Sequence, residues 1–149
     1  MAYAPAALGL AALGGLIWLL AWLRRRLVVV TVVGTSMEPT FHPGDRLLVR
    51  RRGLERVKLA DVVVLEPPSE PARIPRGRSG LDEHRWNVKR VHALPGDLVP
   101  VEVAAAAGSE VVPAGSLVVL GDNARSVDSR QRGFFHADLL LGVVLRKLA

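Results

Sequence analysis

The sequence predicts a mainly β protein: an antiparallel β-sheet domain that follows one N-terminal transmembrane helix. Short runs of β-forming residues, separated by Gly, Pro and Asp, recur throughout residues 27–149 without a comparably long amphipathic helix between them. No charged side chain occurs from Met1 to Leu23. The 149 residues suffice for one soluble domain and an anchor, and are too few for two full domains.

The N-terminal segment is apolar from Ala6 to Leu23 and contains only Ala, Leu, Gly, Ile and Trp. A helix of about 20 residues spans the roughly 30 Å hydrocarbon core of a bilayer. The positive charges of Arg24, Arg25 and Arg26 follow the apolar run, whereas a cleaved signal peptide carries them before it. We therefore predict an uncleaved single-pass anchor with a basic juxtamembrane segment at residues 1–26, and a β-rich domain at 27–149.

Seven runs in the second part of the chain are predicted to be strands. They are residues 27–33, 46–50, 61–65, 86–93, 98–103, 116–120 and 140–145. Residues 66–85 contain several prolines among mixed charges and are predicted to form a loop. The alanine run 104–107, followed by Gly108, is predicted to be a second loop tip.

Composition excludes several kinds of site. The chain has no cysteine, so a disulfide framework, a thiolate nucleophile and a cysteine metal site are all ruled out. The histidines lack compact ligand spacing, and we expect no metal and no other cofactor. They are His42, His84, His92 and His136.

The net charge of +6 comes mainly from arginine, with runs at 24–26 and 50–52. Such charge suits an anionic membrane surface or a nucleic acid. The apolar N-terminus favours the membrane, because no nucleic-acid-binding motif accompanies the arginines. We therefore expect a lipid bilayer as a partner and no nucleic acid.

Ser36 is the candidate nucleophile. It follows the extended run that begins at Leu27, at a point where Pro39 prevents continuation as a helix or a central strand. A serine hydroxyl is a weak nucleophile and needs a base within hydrogen-bond reach. On composition alone, Ser36 would be an ordinary serine at the end of a strand.

Four blocks of the sequence change that interpretation. They are the Ser-Met-Glu-Pro run from Ser36, Gly44-Asp45, residues 87–97 with Asn-Val-Lys-Arg-Val and Leu-Pro-Gly-Asp, and residues 121–130 with Gly-Asp-Asn and Ser-Val-Asp-Ser-Arg. In this order the blocks resemble the signature boxes of the type I signal peptidases, which are Ser/Lys serine proteases. The resemblance implies that Lys89 is the general base, that Ser126 orients its amine, and that Asp128 and Arg130 brace the site.

The chemistry of lysine agrees with that assignment. Lys89 and Arg90 are neighbours in a predicted strand, so their side chains should point to opposite faces and only one should face Ser36. Arginine cannot be deprotonated in a protein, whereas burial can lower the pKa of a lysine enough for it to act as a base. Without the resemblance, Lys89 would be a solvated strand lysine.

The sequence identifies the residues that would bind the substrate less completely than the proposed catalytic pair. The Ser36 N–H is a candidate oxyanion donor. Some relatives carry a hydroxyl residue two positions earlier, where this chain has Gly34, so the second donor stays unassigned; Gly34 could also let the substrate backbone approach closely. Val32, Val33 and Met37 are candidates for lining shallow pockets for small side chains, and Met37 is equally well explained as a core residue.

The resemblance implies a membrane-bound serine endopeptidase that removes N-terminal signal peptides from exported preproteins after an A-x-A site. It also implies a catalytic domain on the extracytoplasmic face, although the positive-inside tendency would keep the 24–26 arginines in the cytoplasm. One alternative is a maturation protease dedicated to one or few partners. More distant alternatives are a LexA-like self-cleaving regulator and a non-catalytic membrane scaffold.

Overall fold

The structure, a computed structural model, describes residues 4–66 and 86–148, and within them the side chains of 13–22, 24–66 and 86–148. The predicted 66–85 loop lies outside the described residues except for its first residue. The helices are α1 (Ala4–Arg26), α2 (Val101–Ala107) and α3 (Ser129–Arg132), with single 3-10 turns at Leu54–Arg56 and Ala137–Leu139. The strands are β1 (Leu27–Thr31), β2 (Arg46–Arg50), β3 (Val62–Leu65), β4 (Asn87–Ala93), β5 (Ser116–Leu120), β6 (Phe135–His136) and β7 (Leu140–Leu148).

The strands form a seven-stranded sheet in the order β1-β2-β7-β3-β4-β5-β6, and every neighbouring pair is antiparallel. The prediction of a mainly β, antiparallel fold is therefore confirmed. Backbone hydrogen bonds from Val32 N to Asp45 O (2.8 Å) and from Gly44 N to Val32 O (2.9 Å) extend the β1–β2 hairpin beyond its strands. Ser36 consequently lies in the loop that closes this hairpin.

The sheet is buried on both faces in its centre. Val64 packs in a first core, while its strand neighbours Val63 and Leu65 pack in a second core on the opposite face. A third core joins α2 to β5 through Val103 and Val118. Strand β4 contributes residues to all three cores and β5 to the second and third, so packing holds both strands in place.

The predicted strand at 98–103 is wrong beyond its first residues, and so is the predicted loop tip at 104–107. Leu98 forms one isolated bridge with Val111, and the chain then turns into α2. Alanine has the highest helix propensity, and Val103 gives the short helix a buried anchor in the third core. Gly108 ends α2 in the left-handed conformation (φ 65°), which glycine adopts without strain.

Helix α1 ends directly before β1, and Arg51 N donates a hydrogen bond to Arg26 O (2.9 Å), so the helix end lies beside β2. In the described part of the chain, no helix has both the length and the apolar character that crossing a membrane requires. The predicted transmembrane anchor is therefore not confirmed.

Candidate active site

Lys89 lies on β4 and is 3% exposed. Its Nζ donates a hydrogen bond of 2.7 Å to Ser126 Oγ. Burial lowers the pKa of Lys89 below the ordinary lysine value. The negative charge of Asp128 opposes this effect, and the positive charges of Arg130 and Arg132 add to it. The environment therefore makes the neutral amine, which is the form that can accept a proton, more accessible than in an exposed lysine.

Asp128 is fully buried and holds the next part of the site together. It accepts hydrogen bonds from Arg130 Nε (2.9 Å) and Nη2 (2.7 Å) and from Gly121 N (2.8 Å), and it caps α3 by accepting from Arg130 N. Burial would raise its pKa, but these hydrogen bonds outweigh burial and lower the pKa to about 2.

The low pKa of Asp128 also stabilises the fold. Because the folded pKa lies below the ordinary value of 3.8, the contribution is fully present above that value. A difference of nearly two units corresponds to about 2 kcal/mol. That stability is lost as the pH falls from about 4 to about 2.

Ser36 is half-buried, and its main chain is tied to the segment that follows β5. Asn123 N donates to Ser36 O (3.1 Å), and Asn123 Nδ2 donates to Thr35 O (3.0 Å). A Cβ atom on Gly121 would overlap both Ser36 O and Ser126 Oγ. The Ser36 loop and the hydroxyl that binds Lys89 therefore meet across a residue without a side chain.

A hydrogen bond between Ser36 and Lys89, the candidate nucleophile and the candidate base, is not formed in this conformation. Among the described residues, Ser36 Oγ makes no hydrogen bond, and Lys89 Nζ donates to Ser126 alone. Catalytic hydrogen bonds are often long or poorly aligned before the substrate binds. The Ser36–Lys89 pair therefore stays a prediction, although the structure places both residues against the 121–128 segment.

Arg90, whose side chain was expected on the opposite face of β4 from that of Lys89, also contacts this segment. Its Nε and Nη2 donate to Asp122 (2.9 and 2.7 Å), and Thr40 Oγ1 donates to the same carboxylate (2.5 Å). The Arg90 hydrogen bonds lower the pKa of Asp122 and keep it ionised. Strand β5 ends beside Arg90, so the segment that follows reaches side chains from both faces of β4.

The candidate pocket residues differ in accessibility. Val32 and Met37 are 4% and 0% exposed and belong to the first core, whereas Val33 is 59% exposed. Gly34 has a φ of 86°, and among the described residues no atom beyond those of its chain neighbours lies within 4 Å of the position that a Cβ would occupy. Of the three apolar candidates, Val33 is the accessible one, and Gly34 leaves open space beside it.

Residues 121–123 lie in one of the four matching blocks, and the sequence predicts no individual role for any of them. In the structure, Gly121 separates Ser36 from Ser126, while Asp122 accepts a hydrogen bond from Thr40 and Asn123 donates one to Thr35 O, on the two sides of Ser36. The Gly-Asp-Asn sequence was the available signal. It could not show these roles, because each depends on a partner more than 80 residues away.

A serine in a hairpin loop and a buried lysine, both held against one segment of an antiparallel sheet, fit the class of serine peptidases. The family model described as signal peptidase, peptidase S26, matches residues 6–106 and 101–148, and the chain belongs to this family. Signal peptidase I of Bacillus licheniformis is 30% identical over an alignment that covers 66% of this chain and 63% of that protein. The resemblance noted in the sequence is confirmed, and the match spans less than two thirds of that relative's length.

Proposed function

We propose that the protein is a serine endopeptidase that removes N-terminal signal peptides from exported preproteins after an A-x-A site. Ser36 is the nucleophile in this proposal, and Lys89 is the general base. The observation that carries it is the burial of Lys89, whose amine is held by Ser126 and has a lowered pKa beside the Ser36 loop. The printed name of the Bacillus licheniformis relative supports the substrate class.

In the proposed reaction, neutral Lys89 takes the proton of Ser36 as Oγ attacks the scissile carbonyl carbon. The tetrahedral intermediate collapses to an acyl ester, and the Lys89 ammonium protonates the leaving amine. A water molecule then attacks the ester and gives its proton to Lys89. That proton passes to Ser36 Oγ as the acid product leaves, which restores the starting state.

Ser126, Asp128 and Arg130 act as positioning residues. The Lys89 amine donates to Ser126, and the Ser126 hydroxyl lowers the pKa of Asp128, so the three groups interact in series. Arg130 neutralises the buried carboxylate through its two-point contact. This arrangement fixes the direction of the Lys89 amine, and the burial of Lys89 disfavours the charged ammonium form.

For substrate binding, the Ser36 N–H is proposed to stabilise the oxyanion. Gly34 allows the substrate main chain to approach, because no side chain of the described residues fills the space beside it. Val33 is proposed to contact a small side chain that precedes the cleaved bond. Val32 and Met37 support this region from the first core.

The proposed organisation is a membrane-associating segment at residues 1–26 and a peptidase domain at 27–149 on the extracytoplasmic face. Helix α1 carries exposed apolar side chains over residues 13–22 and runs directly into β1. Signal peptides of substrates emerge at a membrane, so an enzyme held there meets them at high local concentration.

The test is cleavage of a model preprotein with an A-x-A site by the full-length chain reconstituted in vesicles. We expect the native protein to cut after the second alanine, as identified by mass spectrometry. Ser36→Ala should abolish detectable product, because alanine has no hydroxyl group that could form the acyl ester. Ser109→Ala, at an exposed serine near Val111, is the matched control and should keep full activity. Undiminished cutting by Ser36→Ala would refute the proposal.

The Thr40–Asp122–Arg90 contact gives a second prediction within this function. Thr40→Val keeps the shape of the side chain but removes the hydrogen bond to the Asp122 carboxylate. A hydrogen bond to a charged group contributes about 1.5–3 kcal/mol, so kcat/KM should fall by roughly tenfold as the Ser36 loop loosens. Thr40→Ser should restore activity. Thr31→Val, an exposed threonine on β1, is the control, and equal activity of the two valine variants would contradict a positioning role.

A further inference from the structure

Asn123 holds the main chain on both sides of Ser36. Its side-chain amide Nδ2 donates a hydrogen bond to Thr35 O (3.0 Å), and its backbone N–H donates to Ser36 O (3.1 Å). The first contact fixes the peptide unit that precedes Ser36, and the second fixes the peptide unit that follows it. One residue of the segment after β5 thus sets the orientation of both peptide planes beside the proposed nucleophile.

The orientation of the Asn123 amide follows from its other contact. Asn123 Oδ1 accepts a hydrogen bond from Arg125 N (2.9 Å), and a backbone N–H can only donate. The oxygen of the amide must therefore face Arg125, which leaves Nδ2 to face Thr35 O. The backbone carbonyl of Asn123 accepts from Ser126 N (3.0 Å) and Arg130 Nη2 (3.2 Å). Asn123 is thus held at every polar atom, and it can hold the main chain of Thr35 in turn.

The peptide unit between Thr35 and Ser36 is the one whose N–H is proposed to stabilise the oxyanion. In a trans peptide the C=O and the N–H point in opposite directions, so fixing the carbonyl direction also fixes the N–H direction. Thr35 O accepts from Glu38 N (3.1 Å) as well as from Asn123. Among the described residues the Ser36 N–H donates to no acceptor, so it is available to a substrate oxygen. A hydrogen bond to the carbonyl also polarises the amide and makes its N–H a stronger donor.

We propose that Asn123 is a positioning residue for the oxyanion step: its side-chain amide aims the Ser36 N–H at the substrate oxygen that becomes negatively charged. This inference rests on the proposed function. A donor that is aligned before the reaction stabilises the transition state without reorganising, and for that reason such donors have large effects on rate. Because Gly34, two residues before Ser36, has no side chain that could add a donor, the direction of this N–H matters more.

Asn123→Asp and Asn123→Ala, made in the full-length chain, separate the donor from the rest of the loop. Aspartate keeps the size of the side chain and the acceptor for Arg125 N, but it offers Thr35 O no donor. Alanine also loses the donor and adds no charge. For both variants, kcat per folded molecule should fall roughly 10- to 100-fold, less than the loss of about 10²–10³ that follows removal of a donor itself, and KM should change little. Ala124→Asp adds the same charge at the next, exposed residue, keeps the amide contact and should retain activity.

A peptide aldehyde gives a readout that a merely structural role would not change. The probe is a short peptide that ends in the A-x-A sequence, with an aldehyde in place of its terminal carboxyl group. Ser36 Oγ bonds to the aldehyde carbon, the serine proton passes to Lys89, and the former carbonyl oxygen takes up the negative charge. The affinity of Asn123→Asp for this peptide should fall by about the same factor as kcat. The same peptide ending in a primary alcohol forms no such bond, and its affinity should stay unchanged.

These measurements distinguish a failure of this inference from a failure of the proposed function. A native protein that neither cut the model preprotein nor bound the aldehyde would refute the proposed function, and the inference with it. If the native protein did both and Asn123→Asp equalled it in kcat, the inference alone would be overturned. A loss in Ala124→Asp as large as in Asn123→Asp, or equal losses of aldehyde and alcohol affinity, would also overturn it. Loss of kcat and of aldehyde affinity in both Asn123 variants, with alcohol affinity and Ala124→Asp unaffected, would support it.

Discussion

Lys89→Ala is expected to lower kcat/KM for a preprotein by about three orders of magnitude. The substitution removes the group proposed to take the Ser36 proton, and the other groups that contact the site cannot replace it. Arg130 stays protonated, and the pKa of about 2 keeps Asp128 an anion with its oxygens already bonded to Arg130 and Gly121. Lys58→Ala, at an exposed lysine, is the control and should leave activity unchanged.

Lys89→Arg separates the role of a base from the role of a positive charge. A guanidinium retains the charge but does not deprotonate, so this variant should be as inactive as Lys89→Ala. Thermal unfolding of each variant checks that the loss is not a loss of fold. If either variant had the same unfolding temperature as the native protein and still kept substantial activity, Lys89 would not be the base.

The pH profile gives a readout that a purely structural lysine would not produce. Activity should rise as the Lys89 ammonium loses its proton, and burial places the rising limb below the ordinary lysine pKa of 10.5. The charge of Arg132 also lowers the pKa of Lys89. Arg132→Gln should therefore move the rising limb to higher pH. A limb that stays in place would show that another group controls the profile.

How far the sequence could predict this site is clearest at Lys89. Strand alternation and the chemistry of lysine singled it out over Arg90, and the signature blocks placed it in the family pattern. What the sequence could not show was how the amine is enclosed. Its only direct partner in the described structure is Ser126, 37 residues later in the chain, and the associated charges come from Asp128 and from α3.

The sequence predicted a strand correctly where the residues of a run alternate regularly between apolar and polar. β2 was predicted with its observed bounds, because Arg46 and Arg50 enclose residues that alternate between core and surface. The prediction for residues 98–107 was wrong because apolar residues alternate up to Val103, as in a strand, and the alanines that follow carry no clear pattern. Packing of Val103 in the third core decides for a helix, and that partner surface comes from β5. β6 was missed because two residues are too few for any periodic signal.

Gly121 illustrates a proposed role that no local pattern reveals. The proposal rests on what surrounds the absent side chain: Ser36 O and the hydroxyl Ser126 Oγ, which binds Lys89. Both neighbours belong to the proposed machinery and approach from different parts of the chain. A glycine at this position is therefore required by the close approach of Ser36 O and Ser126 Oγ, rather than by a turn.

Gly121→Ala is accordingly expected to reduce kcat/KM by at least about 100-fold, since a displacement of roughly 1 Å at reacting groups costs that much. The added methyl group must displace the Ser36 main chain, the Ser126 hydroxyl or both. Overpacking of this kind also lowers the free energy of unfolding by about 1–3 kcal/mol. Activity per folded molecule and thermal unfolding, measured on the same preparation, separate the two effects.

Gly142→Ala provides the matched control for this change. A Cβ at Gly142 would overlap the main-chain oxygen of Arg50, where β7 lies against β2, away from the proposed catalytic groups. The control should lose a similar amount of stability and retain its activity per folded molecule. If Gly121→Ala behaved in the same way, Gly121 would matter for packing alone. A large loss of activity in Gly121→Ala only would instead show that the separation of Ser36 from Ser126 across this glycine sets the geometry of the reaction.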